Sequence, residues 1–309
     1  DLSHTTSSKN GGKPSSAMMV LQTLPFKGTH LGMRCVAHLN KPKTEIIPFA
    51  ATVTMTYEIL MKEVNKLRDD KFRPEIIMVF RDGVPDNGLK ELHSKELVGV
   101  LRGVRIIRDL LKQKYKIKWK PKVQYIVVSK SPIEKFGIRN QYNPSNVQPL
   151  RFPAVVFRGI TSTKLWDFFM WNYSPKKDRK IDNIKPLRYV VLKDELKLCE
   201  KKGENGPVAL FEIIHSLFYT YCFSIPFPLG GTSQPGPIQY AKHYAETFGQ
   251  MILNNDSNLQ DLKVKSKNLP TRPDVITKLI NLPDLVNGNG NGNGGHESHQ
   301  GKGGANDKQ

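Results

Sequence analysis

The sequence predicts an α/β fold in which a mixed β-sheet is flanked by helices. The segment Pro74 to Asp82 (PEIIMVFRD) is continuously apolar in its middle, as is typical of a strand that is covered on both faces. Helical periodicity follows over Leu89 to Lys114, and a second apolar strand is predicted at Val123 to Lys130. Strand, helix and strand in this order form a βαβ unit, so at least part of the sheet is parallel.

Further strands and helices are predicted on both sides of this unit. On its N-terminal side the β-forming stretches and one apolar helical stripe predict strands at Ala17 to Leu21, Met33 to His38 and Pro48 to Met55, and a helix at Tyr57 to Asp70. On its C-terminal side the same reasoning predicts strands at Val155 to Ile160, Asp167 to Asn172 and Arg188 to Leu192, and helices at Val208 to Tyr221 and Ile238 to Leu253.

The chain divides into three regions. Residues 1–253 hold the patterned elements and are predicted to form the folded domain, residues 254–285 a weakly patterned extension, and residues 286–309 a disordered tail rich in Asn and Gly. Because the sequence begins with Asp1 rather than Met and its first residues are polar, we expect a processed product or a fragment without a signal peptide.

The chain is strongly basic. It carries 47 Lys and Arg against 28 Asp and Glu, a formal net charge of +19. Charges in the 286–309 tail cancel, so the excess lies in the part that folds, which favours a polyanionic partner. Nucleic acid is the first candidate and an anionic membrane surface the alternative. The sequence contains no apolar run long enough to span a membrane. Three widely spaced cysteines indicate a reducing compartment, which we expect to be the cytoplasm or the nucleus.

One stretch alternates lysine with apolar residues. If it is extended, one face carries only ammonium groups while the other carries Tyr115, Ile117 and Trp119. This pattern predicts either a surface that follows phosphates or an edge kept soluble by charge, and the second reading is favoured. The lysines are Lys112, Lys114, Lys116, Lys118, Lys120 and Lys122.

Several segments resemble, in the right order, motifs of the Argonaute/Piwi family. The segment Phe72 to Val84 resembles the strand and "RDGV" turn of its PIWI domain, and Asp1 to His4 (DLSH) resembles its "DVTH" turn. Further resemblances are found at Tyr125 to Lys130, Trp166 to Tyr173, Lys185 to Asp194, Ile213 to Tyr221 and Ser233 to Ala245. The chain is therefore identified as a divergent member of this family, represented by an N-terminally truncated PIWI domain in residues 1–253.

The resemblance implies a ribonuclease H-like fold and a role with small RNAs. Family members hold a small guide RNA and pair it with a complementary target RNA in gene silencing. Active members cut the target with two Mg²⁺ ions held by acidic residues, as expected for ions that prefer carboxylate oxygens and clamp a phosphodiester. The implied partners are the guide and target RNAs, the upstream Argonaute domains and silencing cofactor proteins, with no membrane involved.

The resemblance also assigns candidate catalytic residues. Asp1 and Asp82 match the first two aspartates, which makes them candidate catalytic groups and Mg²⁺ ligands. The third acid has no clean counterpart: Glu58 is the candidate and Glu45 the alternative, while a solvated surface Glu remains the simpler interpretation of either. Lys242 stands where cutting members have His or Asp, and an ammonium group has no lone pair for a metal.

Guide binding is better supported than cutting. By the motifs, the candidate RNA-binding residues are Lys130, Lys135, Ser233, Tyr240 and Lys242. Tyr240 also lies on the apolar stripe of its predicted helix, so core packing is the alternative for its ring. We expect small-RNA-guided RNA binding without target cleavage. The alternatives are a Mg²⁺-dependent guide-directed endoribonuclease and, outside this family, an α/β protein that binds RNA by shape.

Overall fold

The computed structural model describes residues 2–3, 15–23, 32–41, 44–69, 73–129, 137–139, 147–149, 154–157, 165–171, 186–199, 207–218, 220 and 234–254. The strands in these ranges are β1 (Leu2–Ser3), β2 (Ser15–Thr23), β3 (Gly32–Asn40), β4 (Ile76–Asp82), β5 (Lys122–Ser129), β6 (Gly137–Arg139), β7 (Val147–Pro149), β8 (Ala154–Val156), β9 (Trp166–Trp171) and β10 (Leu187–Asp194). The α-helices are α1 (Phe49–Met61), α2 (Val64–Arg68), α3 (Leu89–Leu92), α4 (Val98–Tyr115), α5 (Val208–Leu217) and α6 (Gly236–Asn254).

The central sheet is mixed, as the sequence predicts. Its order is β4-β5-β10-β9-β8, and β4 runs parallel to β5 while the other neighbours are antiparallel. The parallel pair is the predicted βαβ unit, with α3 and α4 in its crossover. Asp82 at the end of β4 lies opposite Val128 of β5.

The two faces of this sheet bury different helices. Alternate strand residues such as Val127 and Val190 pack in one core with α1 and α4. Their neighbours, including Ile126 and Tyr189, pack in a second core with α5 and the first turn of α6. Both faces are covered, which explains why β5 reads as a continuous apolar run rather than an alternating one.

A second, antiparallel sheet has the order β1-β2-β3. β2 and β3 pair along their whole length, from Ser15 opposite Asn40 to Thr23 opposite Gly32. The Ser16 hydroxyl donates to the Ala245 carbonyl of α6 at 2.9 Å, which ties this sheet to the C-terminal helix. β6 and β7 form a separate two-stranded ribbon.

The strand predicted at Pro48 to Met55 is wrong, because these residues begin helix α1. The Thr52 hydroxyl donates to the Pro48 carbonyl, so this β-branched residue is satisfied within the helix. A Cβ atom added to Gly99 or Gly103 of α4 would lie 2.8 Å from Cβ of Thr52 or 2.6 Å from Cβ of Thr56. Close packing of two helix backbones therefore outweighs the β propensity of Val and Thr.

Other boundaries differ more modestly. The helix predicted over Tyr57 to Asp70 is split, because α1 ends at Met61 and α2 covers only Val64–Arg68. The long helix contains a π-helical turn at His93–Leu97 between α3 and α4.

The lysine stretch is not one extended segment. Its first part belongs to α4, which ends at Tyr115, and the next residue, Lys116, has a left-handed φ of 59°. All six lysines are exposed, whereas Trp119 is buried and its Nε1 donates to the Pro74 carbonyl at 2.8 Å. In the described part of the chain, no helix is long and apolar enough to cross a membrane.

Candidate functional site

Asp82 is the last residue of β4 and is almost completely buried, with 2% of its surface exposed. The next residue, Gly83, has a φ of 80°, a left-handed conformation that glycine adopts without steric cost. The Gly83 amide donates to the Val128 carbonyl at 3.2 Å, so the turn stays attached to β5. The sequence "RDG" thus ends the strand at its carboxyl edge, where α/β folds commonly place reactive side chains.

The segment that leads into α6 reaches the Asp82 carboxylate. Nε2 of Gln234 donates to Oδ2 of Asp82 at 3.3 Å, and Nε2 of Gln239 donates to Oε1 of Gln234 at 3.2 Å. Burial raises the pKa of the Tyr189 phenol well above its usual range, and the negative charge of Asp82 raises it further. Val128 of β5 separates Asp82 from Tyr189 in the sheet, and Gln234 contacts the Asp82 carboxylate from the segment that leads into α6.

Arg81 and Glu96 form a buried ion pair beside this site. Nε of Arg81 lies 2.7 Å from Oε2 of Glu96, and the side chains are 6% and 3% exposed. Burial opposes the charge on Arg81, but the carboxylate of Glu96 outweighs it and raises the Arg81 pKa. The Tyr125 hydroxyl donates to the same carboxylate at 3.4 Å. The π-helical turn positions Glu96 for these contacts.

The same ion pair fixes the loop before α1. Nη2 of Arg81 donates to the Glu45 carbonyl at 2.7 Å, and the Ile47 amide donates to Oε1 of Glu96 at 2.8 Å. The backbone of Glu45 is therefore anchored close to the end of β4, while its side chain is exposed. Glu58, the other candidate for the third acid, is exposed on α1, and its charge acts on His38 of β3.

Arg188 joins the loop after Asp82 to strand β9. Its Nη1 donates to Oδ2 of Asp86 at 2.7 Å, and its Nε donates to Oδ2 of Asp167 at 2.8 Å. Burial disfavours the charge on Arg188, but these hydrogen bonds and carboxylates raise its pKa. Asp86, four residues after Asp82, and Asp167 of β9 are therefore both engaged by one guanidinium group.

Helix α6 carries two of the predicted RNA-binding residues. Tyr240 is buried, with 2% exposure, and its ring stacks on that of Tyr244 with centroids 6.4 Å apart. Lys242 is half-exposed, and its Nζ lies 3.7 Å from Oε1 of Glu246. The Tyr240 ring therefore lies in the core, which is the alternative that the sequence predicted for it. The Lys242 ammonium group, in contrast, lies at the surface.

Some predicted site residues lie outside the described residues, and their roles stay predictions. These residues are Asp1, Lys130, Lys135 and Ser233.

Sequence reasoning overlooked four side chains that organise the site. They are Gln234, Glu96, Arg188 and Asp167. All but Glu96 lie within segments that resemble family motifs, but the resemblance assigned them no role in the site. The signal that could have indicated Glu96 is a charged residue on the apolar stripe of an amphipathic helix.

The family resemblance implies Mg²⁺, and the carboxylate oxygens of the described residues show whether such ions could be held. Two such ions need several converging oxygen ligands. Asp82 offers one carboxylate, while Asp86 and Asp167 are paired with Arg188 and position 242 carries an ammonium group. Within the described ranges, no group of three His, Cys, Asp or Glu side chains could hold a metal ion. These residues alone do not fit a two-ion centre.

The sequence pattern of the Piwi domain matches residues 37–253. This chain belongs to the Piwi domain family. It is 28% identical over 186 residues to Protein argonaute 4B of Oryza sativa subsp. japonica, a match that covers 60% of this chain and 17% of that protein. It is 29% identical over 220 residues to Piwi-like protein 2 of Schmidtea mediterranea, covering 69% of this chain and 23% of that protein.

The fold agrees with this assignment. The crystal structure of Drosophila Piwi superposes on the domain with a TM-score of 0.52 at 19% identity, covering 81% of this chain and 29% of that one. The mixed sheet flanked by helices is thus the ribonuclease H-like architecture that the resemblance implied. The chain spans less than a quarter of the length of the two curated relatives just described.

Proposed function

We propose that this Piwi domain binds a small guide RNA paired with its target RNA in gene silencing, and does not cut the target. The proposal rests on the family and on the formal charge of +19. Cationic and hydroxyl groups that contact phosphates give affinity without sequence preference, because base pairing between guide and target supplies the sequence. Lys130, Lys135, Ser233 and Lys242 are the proposed contacts.

The observation that carries the non-cutting proposal is Lys242 on α6. Its side chain is 44% exposed, and its Nζ lies 3.7 Å from Oε1 of Glu246 in an i,i+4 pair. A protonated lysine has three donors and no lone pair, so it attracts a phosphate and does not ligate Mg²⁺. The position that holds a His or Asp ligand in cutting members is thereby suited to binding RNA.

A specific observation favours the alternative, a Mg²⁺-dependent guide-directed endoribonuclease. Asp82 is a buried carboxylate at a strand end, and Gln234 holds it in place. In this alternative Asp82 and Asp1 hold the metal, with Glu58 or Glu45 as the third acid. Bound Mg²⁺ would supply charge neutralisation at the scissile phosphate. The chemistry then depends on a fourth group other than Lys242.

The proposed setting follows from the family. The domain works with the upstream Argonaute domains and with silencing cofactor proteins, in the reducing environment of the cytoplasm or the nucleus. These partners are proposed from the relatives, of which the chain covers only 17% and 23%.

The test uses the full-length protein loaded with a guide RNA and mixed with a perfectly paired, end-labelled target in Mg²⁺ or EDTA. We expect tight, guide-dependent binding and an intact target in both conditions. A single Mg²⁺-dependent cut that Asp82→Ala abolishes would establish the endoribonuclease instead. Asp109→Ala, at a half-exposed carboxylate of α4, is the matched control and should change neither result.

A further inference from the structure

Six exposed lysines form a basic surface at the end of the central sheet that lies away from Asp82. Lys122 begins β5 opposite Ile76, whereas Asp82 lies opposite Val128 at the other end of the same strand pair. Six residues of strand separate the two ends, which is about 20 Å. This lysine surface is made of Lys112, Lys114, Lys116, Lys118, Lys120 and Lys122.

Exposure alternates along the segment from Tyr115 to Val123. The even-numbered residues in this range are lysines and are exposed, whereas the odd-numbered residues are buried or half-buried. No acidic residue occurs between Lys112 and Lys122. The segment therefore turns its ammonium groups to solvent and its apolar side chains towards the core.

The backbone beneath the lysine surface is held by hydrogen bonds. The Ile117 amide donates to the Leu111 carbonyl at 3.1 Å, which closes the end of α4. Nε1 of the buried Trp119 donates to the Pro74 carbonyl at 2.8 Å, and the Lys122 amide donates to the Glu75 carbonyl at 2.8 Å. A ligand that contacts these lysines therefore does not have to order the chain that carries them.

Structural roles account for only part of the lysine surface. The negative end of the helix dipole favours Lys112 and Lys114, which lie in the last turn of α4. Protection of a sheet edge does not account for the lysines that follow, because β5 lies between β4 and β10 and is an interior strand. The charges beyond α4 at positions 116, 118, 120 and 122 are therefore left without a structural role of either kind.

The acids next to the lysine surface are engaged by other groups. The Val123 amide donates to Oε2 of Glu195 at 2.8 Å, and Nζ of Lys193 lies 3.0 Å from Oε1 of the same carboxylate. Partial burial opposes the charge on Glu195, but the Val123 amide, Lys193 and Lys120 outweigh it and lower the Glu195 pKa. The Asp194 carboxylate accepts two backbone amides of the turn after β10. These acids therefore leave the lysine surface strongly positive.

The aromatic rings of this segment are not available to stack on bases. The guanidinium carbon of Arg68 lies 4.4 Å from the centre of the Tyr115 ring, and Nζ of Lys114 lies 5.4 Å from it. The other ring, that of Trp119, is only 3% exposed. A single-stranded nucleic acid would lack the stacking that normally holds its bases. A membrane or a protein partner would also lack exposed apolar side chains to bury.

We propose that the lysine surface binds the phosphate backbone of double-stranded RNA without sequence preference. Lysines act as hydrated point charges that suit phosphates, and a duplex presents the phosphates of two strands to them. RNA helices are recognised largely through shape and backbone. The inference goes beyond the proposed function, because it requires neither a guide nor Lys242.

The first test uses the full-length protein without a guide and an RNA duplex of about 20 base pairs, unrelated to any guide. Four lysines of the surface are replaced together, and four exposed lysines elsewhere serve as a control with the same change of charge. The surface variant is Lys112→Gln, Lys118→Gln, Lys120→Gln, Lys122→Gln, and the control variant is Lys41→Gln, Lys62→Gln, Lys90→Gln, Lys95→Gln.

The surface variant should bind the duplex at least about tenfold more weakly, and its slope of log affinity against log salt should fall by about 2 to 4. The control variant should change neither quantity. Equal weakening in both variants would show a general effect of charge and overturn the proposal. So would an unchanged surface variant, or a loss confined to polyglutamate or to vesicles of phosphatidylcholine and phosphatidylserine in equal parts.

Binding of a target no longer than the guide, by the guide-loaded protein, separates this surface from the proposed function. The surface variant should bind such a target as well as the unchanged protein does. A parallel loss of guide-dependent binding would show that the lysines serve the guide and target, and would overturn a separate surface. If the guide-loaded protein binds no target at all, the proposed function fails while duplex binding is still measured.

Amine acylation followed by mass spectrometry tests the contact in the unchanged protein. An ammonium group that neutralises a phosphate is withheld from the reagent. Bound duplex should therefore slow acylation of Lys118, Lys120 and Lys122, and not that of the exposed Lys41 and Lys90. Equal labelling of the three lysines with and without duplex would contradict the proposal.

Discussion

The side-chain amide of Gln234 donates a hydrogen bond to the carboxylate of Asp82, with 3.3 Å between Nε2 and Oδ2, although 152 residues separate the two. This contact attaches the segment that leads into α6 to the carboxyl end of β4. It also satisfies part of the hydrogen-bonding capacity of an almost completely buried carboxylate. The geometry of the candidate site therefore depends on how α6 docks, and not only on strand β4.

Gln234→Ala should destabilise the domain by about 1–3 kcal/mol, because it removes a donor from a buried carboxylate. Gln239→Ala removes only the support that Gln239 gives to Gln234, so its effect should be smaller. The free energy of urea-induced unfolding measures both. An equal effect of the two substitutions would show that the bond to Asp82 contributes little.

Removing one partner of the buried ion pair between Arg81 and Glu96 should strongly destabilise the folded domain. Glu96→Gln leaves the guanidinium group without its counter-charge, with an expected loss of about 3–5 kcal/mol. The double variant Arg81→Leu, Glu96→Leu should lose less than the sum of the single Leu variants, since neither charge is left alone. Glu91→Ala at the exposed pair with Lys95 is the control and should cost about 0.5 kcal/mol or less. If the stability losses of the two single Leu variants add up to that of the double variant, Arg81 and Glu96 are not energetically coupled.

Gly103→Ala should separate α1 from α4. The added Cβ would lie 2.6 Å from Cβ of Thr56, well inside van der Waals contact, and one helix must shift. We expect a loss of about 1–3 kcal/mol in thermal or urea unfolding, despite the better helix propensity of Ala. Val98→Ala, at an exposed position of the same helix, should stay within about 0.5 kcal/mol of the unchanged protein. A stabilised Gly103→Ala variant would refute the close contact.

Lys242→Ala should weaken guide-dependent target binding by the guide-loaded, full-length protein. If the ammonium group neutralises one phosphate, the slope of log affinity against log salt should fall by about 1. Lys90→Ala, an exposed lysine of α3, is the control and should leave the slope unchanged. Filter binding over a range of salt concentrations gives both slopes. An unchanged slope for Lys242→Ala would show that this side chain does not contact phosphate.

His38 should make the domain less stable in mild acid. Partial burial lowers its pKa below the ordinary value of 6.5, and Glu58 only partly counteracts this effect. The folded state therefore binds the proton less well than the unfolded state, so stability falls as the pH drops below 6.5. The urea concentration at the midpoint of unfolding should fall between neutral and mildly acidic pH, and His38→Gln should make this fall smaller. The exposed His93→Gln serves as the control, and identical pH dependences for the two variants would contradict the prediction.

Local pattern was enough to predict β4, β5, α4 and α6, because a buried face imposes its period on the sequence. It failed at α1, where Val53 and the neighbouring threonines resemble a strand. The helical conformation there is decided by the fit of Thr52 against Gly99 and of Thr56 against Gly103. Each glycine lies in α4, forty-seven residues further along the chain than its threonine. Intrinsic propensities amount to less than about 1 kcal/mol per residue, so a tight helix contact overrides them.

The sequence by itself determined the class of fold, the basic character of the domain, its family motifs and the position of Asp82 at a strand end. These features depend on residue type and on spacing along the chain. Only the tertiary structure decided that Gln234 contacts Asp82, that Arg81 is paired with Glu96, and that Arg188 joins Asp86 to Asp167. Such contacts arise where the packing of distant elements brings complementary groups together, and their sequence separation follows no fixed period.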